Sequence, residues 1–407
     1  MVARAHSPLA TADFTPQQGV VDKMIASALT TLTGQGDPVA ALGYLFPPIG
    51  AEDRIVVKPN SMGNPAVAGT RAETLVALVR LIRELPTVDG RKVRAEQVIV
   101  WDNAPVGALE EALDRLCSTK STFAPESWDL DAGTSLELPE PPDDAPLLAQ
   151  RVLTEAEHLI SVAALKHHPL TATTGAMKNF FGAITRAWDL HTHGPLALVL
   201  LDGPIRLDGE AGITIETDTG KSAKATLPAG THSAEKAAEA LRPQFDGFEV
   251  ASVQLGGPCL ALLPKESDGA TEMTVAGPLA DRLGIGGRRY FACEVQRSVG
   301  GFYSVPEIGG KTRLAVVDGL VGIYDGGAYN EIQEFRSFAE RTPNTLVLGT
   351  DAVAVDAVMS DIVMRERALH DDLDDSLRPT YLAEAEEMGL GVGDLARIRV
   401  VDTPVNA

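Results

Sequence analysis

Arg54-Ile-Val-Val-Lys-Pro-Asn60 is the stretch from which the fold is read. It is a short apolar strand that ends in Pro59-Asn60 and opens into a Gly-, Asn- and Pro-rich loop running from Ser61 to Gly69. Thr70 is placed to cap a following helix, with Glu73 three residues on completing a capping box. Leu75, Leu78, Val79 and Ile82 then recur at helical spacing. A second strand, Val98-Ile-Val-Trp101, ends at Asp102-Asn103. Strand, loop, helix and strand in that order mark a βαβ unit and hence a parallel sheet.

Working outward, Val20 to Leu32 reads as a helix, followed by a turn at Gly34–Pro38. Downstream, His158-Leu-Ile-Ser-Val-Ala-Ala-Leu165 is a strand leading into Lys166-His-His-Pro169, with a helix expected from about Gly175 to Ala187. Leu314-Ala-Val-Val-Asp318 and Thr345-Leu-Val-Leu-Gly349 are further compact strands. Gly319, Gly322, Gly326 and Gly327 read as a flexible loop after the first of them. Asp351 fits the N-cap of a helix that runs through Val358. The chain closes with a helix near Tyr381–Met388 and a strand at Ile398-Arg-Val-Val401. The expected fold class is therefore α/β, a largely parallel sheet with flanking helices. Residues 1–208 and 289–407 form this main domain, and the acidic, Pro-rich residues 124–150 are a surface excursion from it.

Residues 209–288 differ in texture. Ile213-Thr-Ile-Glu-Thr217 and Ala225-Thr-Leu-Pro-Ala-Gly-Thr231 read as strands, a helix starts at Ser233, and Phe248–Val253 and Cys259–Leu263 supply two more strands. This ββαββ segment is a small α+β insertion. Its Thr226-Leu-Pro-Ala-Gly-Thr run, the helix after it and Ala280–Gly284 resemble the repeat module of flagellin and hook-associated proteins.

Formal net charge is −21, with Asp and Glu spread along the chain. That field opposes nucleic acid and anionic membrane surfaces, whose affinity comes from Lys and Arg. No apolar run approaches the roughly 20 residues of a membrane helix, and Met1 to Thr15 carries no secretion signal. The expected location is cytoplasmic. Cys117, Cys259 and Cys293 are far apart with no C-x-x-C pair, so no iron–sulfur cluster is expected.

Against the acidic background, cations between Lys166 and Asn179 stand out. Four strands end in polar residues (Lys58-Pro-Asn60, Asp102-Asn103, Lys166-His-His168 and Asp318), and ligands in α/β sheets sit at such ends. Lys58, Asn60, Thr174, Gly175, Lys178 and Asn179 are the candidate substrate-binding residues. Thr174-Gly175 before a helix offers free N–H groups to a phosphate or carboxylate, and Lys178 in the first turn is disfavoured unless an anion binds there. Lys166 with His167 or His168 is the candidate catalytic set; the two imidazoles face opposite ways in an extended segment, so one of them enters the site. His191 and His193, with Asp318, Asp189 or Asp202 as the carboxylate, form a candidate divalent-metal set, and satisfied histidines are its alternative. Asp356, inside an apolar helix, calls for a partner, with Lys58, Lys166 and Lys178 as candidates. No P-loop, G-x-G-x-x-G or G-x-S-x-G motif occurs in a fitting context.

Val57-Lys-Pro-Asn60, Leu165-Lys-His-His168, Thr174-Gly-Ala-Met-Lys-Asn-Phe-Phe-Gly182 and Gly349-Thr-Asp-Ala-Val-Ala-Val-Asp356 resemble the bacterial and archaeal family known as domain of unknown function 362. So do Glu387-Met-Gly-Leu-Gly391 and Ile398-Arg-Val-Val401. The resemblance implies the fold and a site, without a general reaction. Many relatives carry ferredoxin-like cysteine clusters that this chain lacks, so a redox role is not carried over.

Two functional readings follow. One is an enzyme of isomerase or lyase type, acting on a small carboxylate- or phosphate-bearing molecule by Lys/His acid–base chemistry, with metal assistance open. The other is a non-catalytic protein that binds an anionic metabolite or assembles through the insertion. A homodimer is compatible with both.

Overall fold

The computed structural model describes residues 1–405 apart from 62–68, 104–106, 122–132, 139–140, 145–146, 185–189, 191–194, 202, 255–257, 266–268, 293–294, 328–330, 372 and 374–376. Cys293, the helix expected beyond Ile184 and much of the 124–150 excursion therefore lie outside the described residues. The chain forms two compact units.

The first unit comprises Met1–Thr134, Ala149–Ile184 and Val299–Ala407. Its sheet is built from β1 (Val2–His6), β2 (Ile55–Pro59), β3 (Val98–Asp102), β4 (Ser118–Ser121), β5 (His158–His168), β6 (Ala172–Thr174), β7 (Thr312–Ile323), β8 (Thr345–Gly349) and β9 (Val400–Pro404). The order is β9-β1-β8-β7-β5-β2-β3-β4, with β6 folded back antiparallel on β5. From β7 to β4 every pairing is parallel; β8 alone opposes its neighbours β7 and β1, and β9 is parallel to β1. The α/β class with a mostly parallel sheet is what the strand-and-helix pattern of the sequence predicts. The N-terminal strand β1, inserted between β9 and β8, is an element the sequence reading did not foresee.

Four helices matter here: α1 (Gln18–Thr33), α2 (Ala72–Glu84), α3 (Ala352–Arg367) and α4 (Tyr381–Glu387). The apolar faces of α1 and α2 share one core with Val57, Val100, Ile160, Val162, Val316 and Leu348. Helix α3 packs on β7 and β8, and the alternate residues Val317 and Val347 are buried as well. Both faces of the sheet are thus covered, as a parallel sheet requires. Helix α1 stops at Gly34, whose φ of 73° closes the last turn with an N–H bond to the Thr30 carbonyl.

Several local expectations shift for physical reasons. Helix α2 starts one residue beyond the predicted cap, with Arg71 as N-cap and no side-chain cap of its own. The Thr70 hydroxyl instead accepts from the Asn60 N–H and donates to the Val162 carbonyl, pinning the loop to β5. Capping comes from Asp318, whose Oδ2 accepts the Arg71 N–H at 2.9 Å. Gly319 and Gly322 lie inside β7 rather than in a loop. A Cβ at Gly322 would meet the Leu165 side chain at 2.7 Å and the Phe335 ring at 2.9 Å, so only glycine fits. Of the helix expected from Gly175, the described residues show a 3-10 turn, Lys178–Ala183, which follows the short strand β6. Asp351 caps α3 as predicted, accepting the Ala354 N–H at 3.0 Å.

The second unit comprises Ser135–Leu148 and Thr185–Ser298. Within 209–288 it places strands Ala211–Thr217, Ser222–Leu227 and Gly230–His232, a helix at Ala234–Leu241 capped by Ser233, and strands Phe248–Gln254 and Pro258–Pro264. Ile213, Ile215, Leu241, Phe248, Leu260 and Val275 belong to a core of its own.

Candidate functional site

Chain order reverses between β2 and β5. From β2 the sheet grows through β3 to β4 on one side, and from β5 through β7 to β8 on the other. Such a switch point is where open α/β sheets leave a crevice at the carboxyl ends of the strands. Lys58 and Asn60 end β2, Asp102 ends β3, and Lys166 lies near the end of β5. All four are buried. The four strand ends predicted from sequence therefore converge for three strands, and the polar residues they carry bond to one another.

Lys58 Nζ donates to Asp102 Oδ1 and to the Pro59 carbonyl, each at 2.8 Å. The other Asp102 oxygen accepts the Ser61 N–H at 2.7 Å. Lys166 Nζ donates to Asn60 Oδ1 at 2.8 Å. Asn179 Nδ2 donates to the Lys58 carbonyl at 2.8 Å and to Ser161 Oγ at 3.1 Å, tying the 3-10 turn across β2 and β5. Gly182 closes this packing: a side chain there would meet Asn103 Oδ1 at 2.9 Å and Lys58 Nζ at 3.5 Å.

Lys178, on the same turn, is 7% exposed, and its ammonium stands 5.1 Å from the centre of the Phe181 ring. Burial, then the nearby charge of Lys166, pulls its pKa from 10.5 down to about 7. Lys166 falls to about 7 as well, by burial opposed by Asp102 and reinforced by Lys58. Two buried amines within electrostatic reach of each other cannot both hold a proton cheaply. Near neutral pH one of them is therefore available as a base or nucleophile.

Three buried oxygens around these amines have no hydrogen-bond partner: Thr174 Oγ1, Asn179 Oδ1 and Ser61 Oγ. Thr174 stands directly across the β5–β6 pair from Lys166. Buried polar atoms left unmatched are uncommon and mark where a ligand or water belongs.

The N–H groups of the turn after Thr174 are taken by a carboxyl group of the chain itself. Ala176 N–H donates to Asp356 Oδ1 at 2.5 Å and Met177 N–H to Oδ2 at 3.2 Å. Asp356 reaches in from α3 and finds backbone N–H groups there, not one of the three candidate lysines. Burial raises its pKa to about 7, and the two N–H bonds pull the other way. Any side chain at Gly175 would overlap the Asp356 carboxylate. The helix N-terminus proposed as an anion seat is thus occupied from within, which the sequence could not reveal because Asp356 lies far along the chain.

The remaining candidates separate by face. Strand pairing sets His167 opposite Thr173 and Lys166 opposite Thr174, so the histidine points to the other side of the sheet. There Thr173 Oγ1 lies 2.7 Å from Ser360 Oγ and 3.1 Å from the Tyr381 hydroxyl, against α3 and α4. His167 Nδ1 is 4.0 Å from Asp325, which Arg367 Nη1 holds at 2.5 Å. Burial, then Arg367, lowers the imidazole pKa to about 4, with Asp325 opposing. His168 returns to the Lys166 side, but its Nδ1 accepts the N–H groups of Leu170 and Thr171 and shapes the turn into β6. Asp318 spends its oxygens on the N–H groups of Arg71 and Leu320. His191, His193, Asp189 and Asp202 lie outside the described residues. Among those described, no group of three His, Cys, Asp or Glu side chains is arranged to hold a metal.

The switch-point lysines sit inside a region that a family model, Domain of unknown function (DUF362), matches over residues 55–361. The chain belongs to this family. The matched segment runs from β2 into α3 and so contains every residue of the cluster, Asp356 included. No curated protein matches the chain. Among the described residues of this DUF362 protein, no helix is long and apolar enough to cross a membrane.

Proposed function

We propose that this DUF362 protein is an enzyme that binds a small carboxylate or phosphate at the β2/β5 switch point and moves a proton on it with Lys166. The observation that carries this reading is the burial of Lys58, Lys166 and Lys178 together at the sheet's switch point, in a chain whose net charge is −21. Lys178 supplies the charge that holds the anion. Lys58, fixed by Asp102, keeps a positive field over the reacting atoms, and Lys166 with its low pKa exchanges the proton. Thr174 Oγ1 and Asn179 Oδ1 provide hydrogen-bonding atoms that the protein itself does not use. An isomerase or lyase acting next to an acid group can use this combination.

The test works whichever acid the substrate is. A panel of small carboxylic and phosphoric acids is incubated with the protein in D2O, and deuterium entering the carbon next to the acid group is followed by NMR. Incorporation that disappears in Lys166→Met is the expected result. Anions that raise the melting temperature with no incorporation from any of them would leave the second reading, an anion-binding protein.

A further inference from the structure

Around Lys166 the groups differ in what they can do to an incoming molecule. Its Nζ is directed by Asn60 Oδ1 at 2.8 Å, beside the Lys58–Asp102 ion pair. The Thr174 hydroxyl stands across the strand pair, buried and unpartnered. Lys166 lies near enough for its charge to act on Lys178, whose ammonium is favoured by the Phe181 ring. An amine whose burial disfavours its proton, beside a second buried amine, is the arrangement that makes lysine a nucleophile toward carbonyl carbon.

We infer that Lys166 forms an imine with a small acid that also carries a carbonyl group, the acid group being held at Lys178. This rests on the anion-binding reading above and adds the substrate class and the covalent step. The neutral Nζ attacks the carbonyl carbon with its lone pair, and the carbonyl oxygen takes up a proton to give a carbinolamine. That hydroxyl then leaves as water, carrying the second Nζ proton, and the carbon–nitrogen double bond forms. One carbonyl and one primary amine give one imine and one water, with no oxidant or reductant. Protonated, the imine withdraws electrons from the neighbouring carbon, so an adjacent C–H or C–C bond is weakened.

Glyoxylate, the smallest acid with an aldehyde, is the probe. The intact protein is incubated with glyoxylate and cyanoborohydride at pH 7, which reduces an imine to a stable secondary amine, and labelled lysines are located by peptide mass spectrometry. Melting curves with glyoxylate alone are recorded in parallel. The expected result is labelling of Lys166 at least about tenfold faster than of the exposed Lys23 and Lys92. The rate at Lys166 falls in Lys178→Met. Labelling at Lys166 no faster than at Lys23 and Lys92, with a glyoxylate-dependent rise in melting temperature, overturns the imine and leaves anion binding standing. No selective labelling and no rise in melting temperature overturns both. Because the deciding measurement is made on the unaltered chain, a variant that fails to fold does not affect it.

Discussion

The two faces of the hairpin β5–β6 carry neighbouring residues of one motif and do opposite work. On one face Thr173 is satisfied by Ser360 and Tyr381, and His167 is buried beside the Asp325–Arg367 pair. On the other, Lys166 and Thr174 lie in a cluster of buried amines with unmatched oxygens. The run Lys166-His167-His168 cannot say which residue acts, because it lists them together. The strand's period of two divides them. One face spends the Thr173 hydroxyl on the packing of α3 and α4, and the other leaves the Thr174 hydroxyl unmatched.

The largest effect that would test this division comes from Asp102→Ala. It leaves Lys58 buried without its carboxylate, and urea unfolding should show a loss of about 3–5 kcal/mol. Gly175→Ala follows: its methyl would overlap Asp356, so the turn or α3 must move, at about 1–3 kcal/mol or more. Adding Asp356→Ala to it should cost less than the sum of the two single changes, because they share one contact.

The comparison sharpens most in a pair of isosteric changes. Thr173→Val takes one hydrogen-bond partner from each of the Ser360 and Tyr381 hydroxyls and should destabilise by about 1–2 kcal/mol, with anion-induced stabilisation unchanged. Thr174→Val removes a buried hydroxyl that has no partner, so stability should hold or rise, while anion-induced stabilisation weakens. Equal behaviour of the two would mean that the faces do not differ as described. The smallest effect is on pH dependence. Burial pulls the Lys166 and Lys178 amines from the ordinary 10.5 down to about 7 in the folded protein. Between those values the unfolded chain binds more protons, so their contribution to stability rises with pH and is at its most unfavourable below 7. Unfolding at pH 7 and pH 9.5 should show a smaller rise in Lys178→Met than in the parent chain. Anion binding, which needs the protonated amine, should weaken over the same interval.

Strand ends were legible in the sequence because an apolar run that stops at Lys58-Pro-Asn60 or Asp102-Asn103 declares both its length and its polar tip. The α3 cap at Asp351 was legible for a similar local reason. Partners distant in sequence were not. Asp318 capping α2 and Asp356 filling the turn after Thr174 are carboxylates whose meaning depends on which segment arrives beside them. A lysine near a glycine before an expected helix points, from the sequence alone, to an external anion. The N–H groups did require an acceptor, and α3 provided one. The same limit applies to β1 and β6, short segments whose strand character comes from the edges they pair with.

The hold of Asp356 on the backbone at Ala176 and Met177 also orders events in time. Residues 175–178 can be synthesised and β5 can pair with β2 while the turn still lacks its acceptor, which comes 180 residues later in the chain. Contacts of such sequence separation are slow to form. A chain in which α3 has not docked therefore has most of its sheet, while the turn that leads to Lys178 still lacks its acceptor.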